Sequence, residues 1–189
     1  MGTLRVVVVD DSGIFREGLV ALLNAAGVEV VEALASTEGL GAAIVLNRPD
    51  AVVLDVRLPP TFTDEGVQAA VATRKQNAGV GILLLSTYAE PAWVRRITDR
   101  IPQGIGYLIK DRVADVERLV EAIEIVASGG IAIDSAIVHG VVSDQRPGQL
   151  SGLTEREIEV LSGIAEGRSN AAIARTLGTS VRTIESHVA

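Results

Sequence analysis

Five short apolar runs, each passing into a stretch with helical periodicity, fix what the first two-thirds of this chain can become. The runs are Leu4–Val9, Val28–Leu34, Ala51–Leu54, Gly81–Leu85 and Ile105–Ile109. They are nearly continuous in Val, Ile and Leu rather than alternating, which is the pattern of strands covered on both faces. Between them, apolar residues recur at helical spacing: Ile14, Gly18, Leu19 and Leu22 in one stretch, and Ile44 and Val45 behind two alanines in a second. A third stripe runs through Val116, Leu119, Val120, Ile123 and Ala127. Repeated strand–helix units with right-handed crossovers give a doubly wound parallel α/β sheet, here five-stranded. Aromatics make up only 3% of the residues, so the core is built from branched aliphatics and alanine.

Gly129-Gly130 ends the third stripe. Residues 129–152, with Pro147 and three more glycines, read as a linker carrying at most one short helix near 135–142. A small all-α unit is expected over 153–189. Thr154 and Glu157 form a capping box, flanked by Leu153 and Ile158 as a hydrophobic staple. Ser169 caps a second helix that stops at Leu177-Gly178, and Ser180 caps a third. Two helices joined by a tight glycine turn make a helix-turn-helix pattern. In the third helix, Val181, Ile184 and Val188 are expected to face the core. The division is therefore 1–128, 129–152 and 153–189.

The polar residues of the first unit collect at strand ends. Asp10-Asp11 follows the first run, Asp55 the third, Ser86 the fourth and Lys110 the fifth. In a doubly wound sheet, ligands bind outside the carboxyl ends of the strands, where the winding reverses. With strand order 2-1-3-4-5, the first and third strands are neighbours, and three carboxylates converge. Ser12 is expected to cap the helix that follows. An aspartate after a strand is most often a cap or turn residue, so no single member of the set means much. Their joint placement on four strands does. Three close carboxylates call for a cation, and an all-oxygen set suits Mg²⁺, which often shares a phosphate oxygen. A lysine and a hydroxyl opposite would bind the other phosphoryl oxygens, and an aspartate beside Mg²⁺ can be the nucleophile. This chemistry is phosphoryl transfer onto the protein itself.

Asp10-Asp11, Asp55, Ser86 and Lys110 resemble the receiver domain of two-component response regulators, which has a flavodoxin-like fold. The segment LTEREIEVLSGIAEGRSNAAIARTLGTSVRTIESHV is similar to the LuxR-type helix-turn-helix. Together they resemble the NarL/FixJ family over nearly the whole chain. That resemblance implies that Asp55 is the phosphoacceptor, charged by a sensor histidine kinase. Asp10, Asp11, Asp55 and the backbone carbonyl of Arg57 would hold Mg²⁺. Lys110 and Ser86 would bind the phosphoryl group, Ser86 and Tyr107 would act as switch residues, and Arg57 and Tyr88 would tune hydrolysis. In the third helix Glu185, Ser186 and Ala189 match base-edge positions, with Arg182 and Thr183 as phosphate contacts. Phosphorylation would free the helical unit or promote a homodimer on promoter DNA.

The charge balance sets a limit on that last expectation. Net charge is −7, and residues 129–189 carry five basic and seven acidic side chains. Phosphate contacts supply much of any affinity for DNA. The helical unit also reads as incomplete at Ala189, so weak DNA binding is expected for these residues. A receiver acting only through protein contacts is the alternative. An aspartate-nucleophile phosphatase would need a second acidic residue two positions beyond Asp55, where Arg57 stands. The absence of cysteine excludes disulfides and thiolate metal sites and suits a reducing cytoplasm. No apolar run is long enough to span a membrane.

Overall fold

The computed structural model describes residues 3–87, 100–113, 115–135, 159–160, 163, 168–181 and 183–184. The elements run β1 (Arg5–Val9), α1 (Gly13–Ala25), β2 (Glu29–Leu34), α2 (Leu40–Asn47), β3 (Ala51–Asp55) and α3 (Glu65–Gln76). They continue with β4 (Gly81–Ser86), β5 (Ile105–Ile109), a 3₁₀ turn (Lys110–Arg112), α4 (Val116–Ala127), β6 (Ile131–Ile133) and α5 (Asn170–Thr176). All strands pair in parallel in one sheet of order β2-β1-β3-β4-β5-β6.

The expected winding of the first five strands is present, but the expected count is corrected by a sixth. The start of the segment read as a linker is β6, which pairs Ile131–Ile133 with Ile105–Tyr107. Gly129, at φ +86, lets the chain reverse straight after α4. Its carbonyl accepts from the Gly104 N–H at 2.9 Å, and the strand follows at once. The sheet thus runs past the boundary drawn at residue 128.

Strands β1, β3 and β4 are buried along nearly their whole length. Alternate side chains feed two cores. Val7, Val9, Val52, Leu54, Ile82 and Leu84 pack with Leu40, Ile44, Val67 and Ala70 of α2 and α3. On the opposite face Val6, Val8, Val53, Leu83 and Leu85 pack with Leu19 and Leu23 of α1 and Leu119, Ile123 and Val126 of α4. Close approach of α4 depends on Gly81, where a Cβ would stand 2.6 Å from the backbone of Val126 and Ala127.

The helical stripe expected in α1 is displaced. Leu19 and Leu23 are buried, with Phe15 packed beside them, while Ile14 is 90% exposed and Leu22 39%. The face that meets the sheet is the 15–19–23 row, with an i, i+4 spacing. An apolar residue on the neighbouring row cannot be told apart from sequence alone. Ile44 of α2 is buried as expected, but Val45 is 71% exposed. Of the α4 stripe, Leu119 and Ile123 are buried as expected; Val116, Val120 and Ala127 are half-buried, and Ala122 and Val126 complete the buried face.

In the helical unit, the Ser169 hydroxyl accepts from the Ala172 N–H at 3.2 Å, and Ser180 accepts from the Thr183 N–H at 3.1 Å. Both are the caps expected from sequence. Gly178 turns between the two helices at φ +61. Val160, Ile173, Ala174 and Ile184 form a small core of their own. Val181, expected inside, is 40% exposed. The Thr154–Glu157 capping box, nearly all of the short helix near 135–142 and Val188 lie outside the described residues. Among the described residues no helix is long and apolar enough to cross a membrane.

The corrected α1 face gives a direct test. Leu19→Ala should cost about 2–5 kcal/mol in urea unfolding, as for a buried leucine. Leu22→Ala should cost less than about 1 kcal/mol, because its side chain keeps much of its contact with water. Equal losses would mean that the helix sits in the other register.

Candidate functional site

The register of the central strands builds the site. Val9 pairs with Leu54, so the residues that follow them, Asp10 and Asp55, emerge side by side at the carboxyl edge. A backbone bond of 3.0 Å from the Asp10 N–H to the Leu34 carbonyl fixes the exit of β1. Asp55 is fixed from behind by Gly66, where a Cβ would stand 1.8 Å from the Asp55 carbonyl oxygen. Only glycine lets α3 start that close to the end of β3.

Lys110 comes in from the end of β5, beyond the pair Ser86–Ile109. Its Nζ lies 2.6 Å from Asp10 Oδ2 and 2.7 Å from Asp55 Oδ2, with the side chain 13% exposed. Asp10 and Asp55 are buried, whereas Asp11 is exposed at the mouth of the site. Ligand oxygens of all three carboxylates lie within 4.8 Å of one another. Asp10 Oδ1 accepts from the Ser12 N–H at 3.0 Å, and Asp55 Oδ1 from the Arg57 N–H at 3.1 Å. Ser12 occupies the cap position of α1, but its side chain makes no capping bond, contrary to expectation. Asp10 instead takes up its N–H.

The site holds more negative than positive charge, and burial and charge together shift both partners. Burial pushes the Asp55 carboxyl above its ordinary value; the Lys110 hydrogen bond and charge and the Arg57 N–H oppose it, and the Asp10 charge adds to it. Burial by itself would lower Lys110, yet the hydrogen bonds and charges of Asp10 and Asp55 raise it overall. Each shift favours the form with one more positive charge. Asp10 Oδ2 points the same way: it is buried, and the ammonium that meets it at 2.6 Å is shared with Asp55. Three converging carboxylates with one ammonium between two of them make an all-oxygen set that fits a hard divalent cation such as Mg²⁺.

The remaining expected residues fall as follows. Ser86 is buried at the end of β4, one residue beyond the Asp55–Leu85 pair. Tyr107, expected as a switch residue, is buried in the core on β5. The Arg57 side chain is exposed. Thr183 is half-buried, and its hydroxyl lies 2.8 Å from that of Ser180, within the cap. Tyr88, Arg182, Glu185, Ser186 and Ala189 lie outside the described residues. Sequence reading missed two residues of α1. Arg16 Nη1 donates to the Asp10 carbonyl at 2.6 Å, and the Phe15 ring lies under Lys110 Nζ, its centroid 4.5 Å away. The available signal was the i, i+4 row leading back from Leu23 through Leu19 to Phe15.

Comparison with known proteins agrees with this geometry. Residues 6–124 match the family described as response regulator receiver domain, and residues 151–189 match bacterial regulatory proteins of the luxR family. The chain is 30% identical to the transcriptional regulatory protein LnrK of Bacillus subtilis, covering 98% of this chain and 87% of the relative. It is 34% identical to the Mycobacterium tuberculosis protein named "Probable transcriptional regulatory protein NarL", covering 98% and 84%. The crystal structure of a LuxR-family two-component response regulator from Aurantimonas sp. SI85-9A1 superposes with a TM-score of 0.64 at 26% identity. It covers 76% of this chain and 98% of that one.

Burial, with the charges around it, predicts how Asp55 titrates. In a carbon-detected NMR titration without metal, its carboxyl should titrate above the ordinary value of 3.8. Lys110→Met removes a stabilising cation and should move the midpoint further up; Asp10→Asn removes a repelling anion and should move it down. The linkage sign follows. A carboxyl raised by folding stabilises the fold most below its unfolded pKa, and this contribution is lost as pH rises through the folded one. A downward move in Lys110→Met would contradict the assignment.

Proposed function

The chain belongs to the response regulators that join a receiver domain to a LuxR-type helix-turn-helix, and on that premise we propose that Asp55 is its phosphoacceptor. The chain is a transcriptional regulator, and its receiver implies a histidine kinase partner. In the proposed transfer an Asp55 carboxylate oxygen forms the O–P bond as the P–N bond of the donor phosphohistidine breaks, and the imidazole departs. Asp55 suits the role because both oxygens keep a free lone pair while the Arg57 N–H and Lys110 orient the group. Lys110 stands where the phosphoryl charge arrives, and Ser86 supplies a hydroxyl from the next strand.

Asp10, Asp11, Asp55 and the Arg57 carbonyl are the groups that would hold Mg²⁺. The bound ion would neutralise charge on the phosphoryl oxygens. The observation that carries the reading is the Lys110 ammonium set 2.6 Å and 2.7 Å from two carboxylates in a cluster with surplus negative charge. Ser86 and Tyr107 are proposed as the residues that respond to the new charge. In the helical unit, Arg182 and Thr183 are proposed as phosphate contacts on promoter DNA, with Glu185, Ser186 and Ala189 facing base edges. A homodimer would present two such units to paired half-sites. A cytoplasmic location fits a cysteine-free regulator of this kind.

Incubation with Mg²⁺ and a small acyl phosphate should add one phosphoryl group to the wild type, read by intact-protein mass. Asp55→Asn should gain none, and a chelator should abolish the gain. Equal labelling of Asp55→Asn and wild type would place the acceptor elsewhere.

A further inference from the structure

The phosphoryl chemistry above leaves one member of the site without a task, the aromatic ring beneath Lys110. Phe15 stands near the start of α1, and its place is well determined. The row it begins is anchored by Leu19 and Leu23 in the core, and the next residue, Arg16, ties the same turn to the Asp10 carbonyl at 2.6 Å. A lysine ammonium has three donors and no acceptor. Here it donates to Asp55 Oδ2 at 2.7 Å, meets Asp10 Oδ2 at 2.6 Å, and lies 4.5 Å from the centre of the Phe15 ring. The face of the ring is its negative side and attracts a cation most where water is excluded.

Resting on the assignment of Asp55 as acceptor, we propose that Phe15 is a positioning residue: its ring face holds the Lys110 ammonium over Asp10 and Asp55. The need for such a seat comes from the lysine itself. Its four-carbon stem is flexible and its ammonium strongly hydrated, so two carboxylates near an open rim do not fix where the charge sits. The ring presents its face to the ammonium at 4.5 Å and offers no site that could accept a proton. The ammonium is then set in place before the phosphoryl group arrives, rather than recruited from solvent, which is how preorganised charge assists a transfer. An aliphatic side chain of similar size would fill the space without attracting the charge.

The chain contains two lysines, Lys75 and Lys110, so labelling lysine with ¹³C gives two ε-methylene signals. In the wild type the Lys110 signal should be displaced upfield by the ring and should remain so in Phe15→Tyr. In Phe15→Leu it should move towards the Lys75 position. Phosphorylation by a small acyl phosphate with Mg²⁺ should slow by on the order of tenfold in Phe15→Leu and stay within about twofold of wild type in Phe15→Tyr. Phe15→Met serves in its place should Phe15→Leu fail to fold. Wild-type rates in Phe15→Leu, an equal loss in Phe15→Tyr, or an unshifted Lys110 signal in the wild type would each overturn the proposal. The two assignments fail separately. Labelling of Asp55→Asn would remove the acceptor, whereas the NMR comparison requires no phosphorylation and still decides whether Phe15 holds Lys110.

Discussion

A single ammonium shared by two buried carboxylates is the interaction on which the site depends. Taking charges out of water is costly, and a lone lysine between Asp10 and Asp55 leaves the account one positive charge short. Exposed Asp11 widens the deficit at the mouth. The fold tolerates this because the charges stand at the rim of a sheet whose stability comes mainly from two apolar layers behind them. The deficit is also what gives the site its chemistry. A place that prefers one more positive charge suits a divalent cation, and under the proposed function its ammonium suits the oxygens of a phosphoryl group.

That arrangement follows from the winding of the sheet. Parallel strands all point their carboxyl ends at one edge, so residues distant in sequence are delivered to the same rim. Asp10 and Lys110 arrive there from strands on either side of Asp55, and the β1–β3 register decides that the two aspartates emerge level. Two glycines without side chains to pack make the geometry possible. Gly81 lets α4 lie against β4, and Gly66 lets α3 begin directly behind Asp55. The core thus acts on the chemistry through backbone approach as well as through packing.

Much of this was legible in the sequence because the central strands are so uniformly aliphatic. Runs buried on both faces, separated by helical patterns, leave few windings, and the polar residues at their ends then name the site. What was not legible has separable causes. β6 is three residues long, too short to show any period, and it hides behind a glycine pair that looks like the end of a unit. The α1 stripe was misassigned because Ile14 and Leu22 lie one row from Phe15, Leu19 and Leu23, and only the sheet beneath selects between the rows. Ser12 looked like a cap, but its N–H serves Asp10 and its hydroxyl serves no backbone donor of the helix. Phe15 carried no chemical signal of its own; its meaning depends on an ammonium that enters from the opposite end of the chain.

The sixth strand changes how the two units of the chain are related. β5 carries Tyr107 and leads directly into Lys110, so it belongs to the site. The same strand pairs with β6, and the Tyr107 carbonyl accepts the Asp134 N–H at 2.9 Å, just past the end of β6. The chain that leads towards the helix-turn-helix therefore leaves from a hydrogen-bonded neighbour of the strand that leads to Lys110. A freely jointed tether would leave the helical unit insensitive to the state of β5. A tether whose first residues are part of the sheet starts from a fixed position and direction. Residues 129–189 carry more acidic than basic side chains, so long-range attraction to DNA contributes little to their placement. Within the described residues, that fixed start is β6, beside the strand that leads to Lys110.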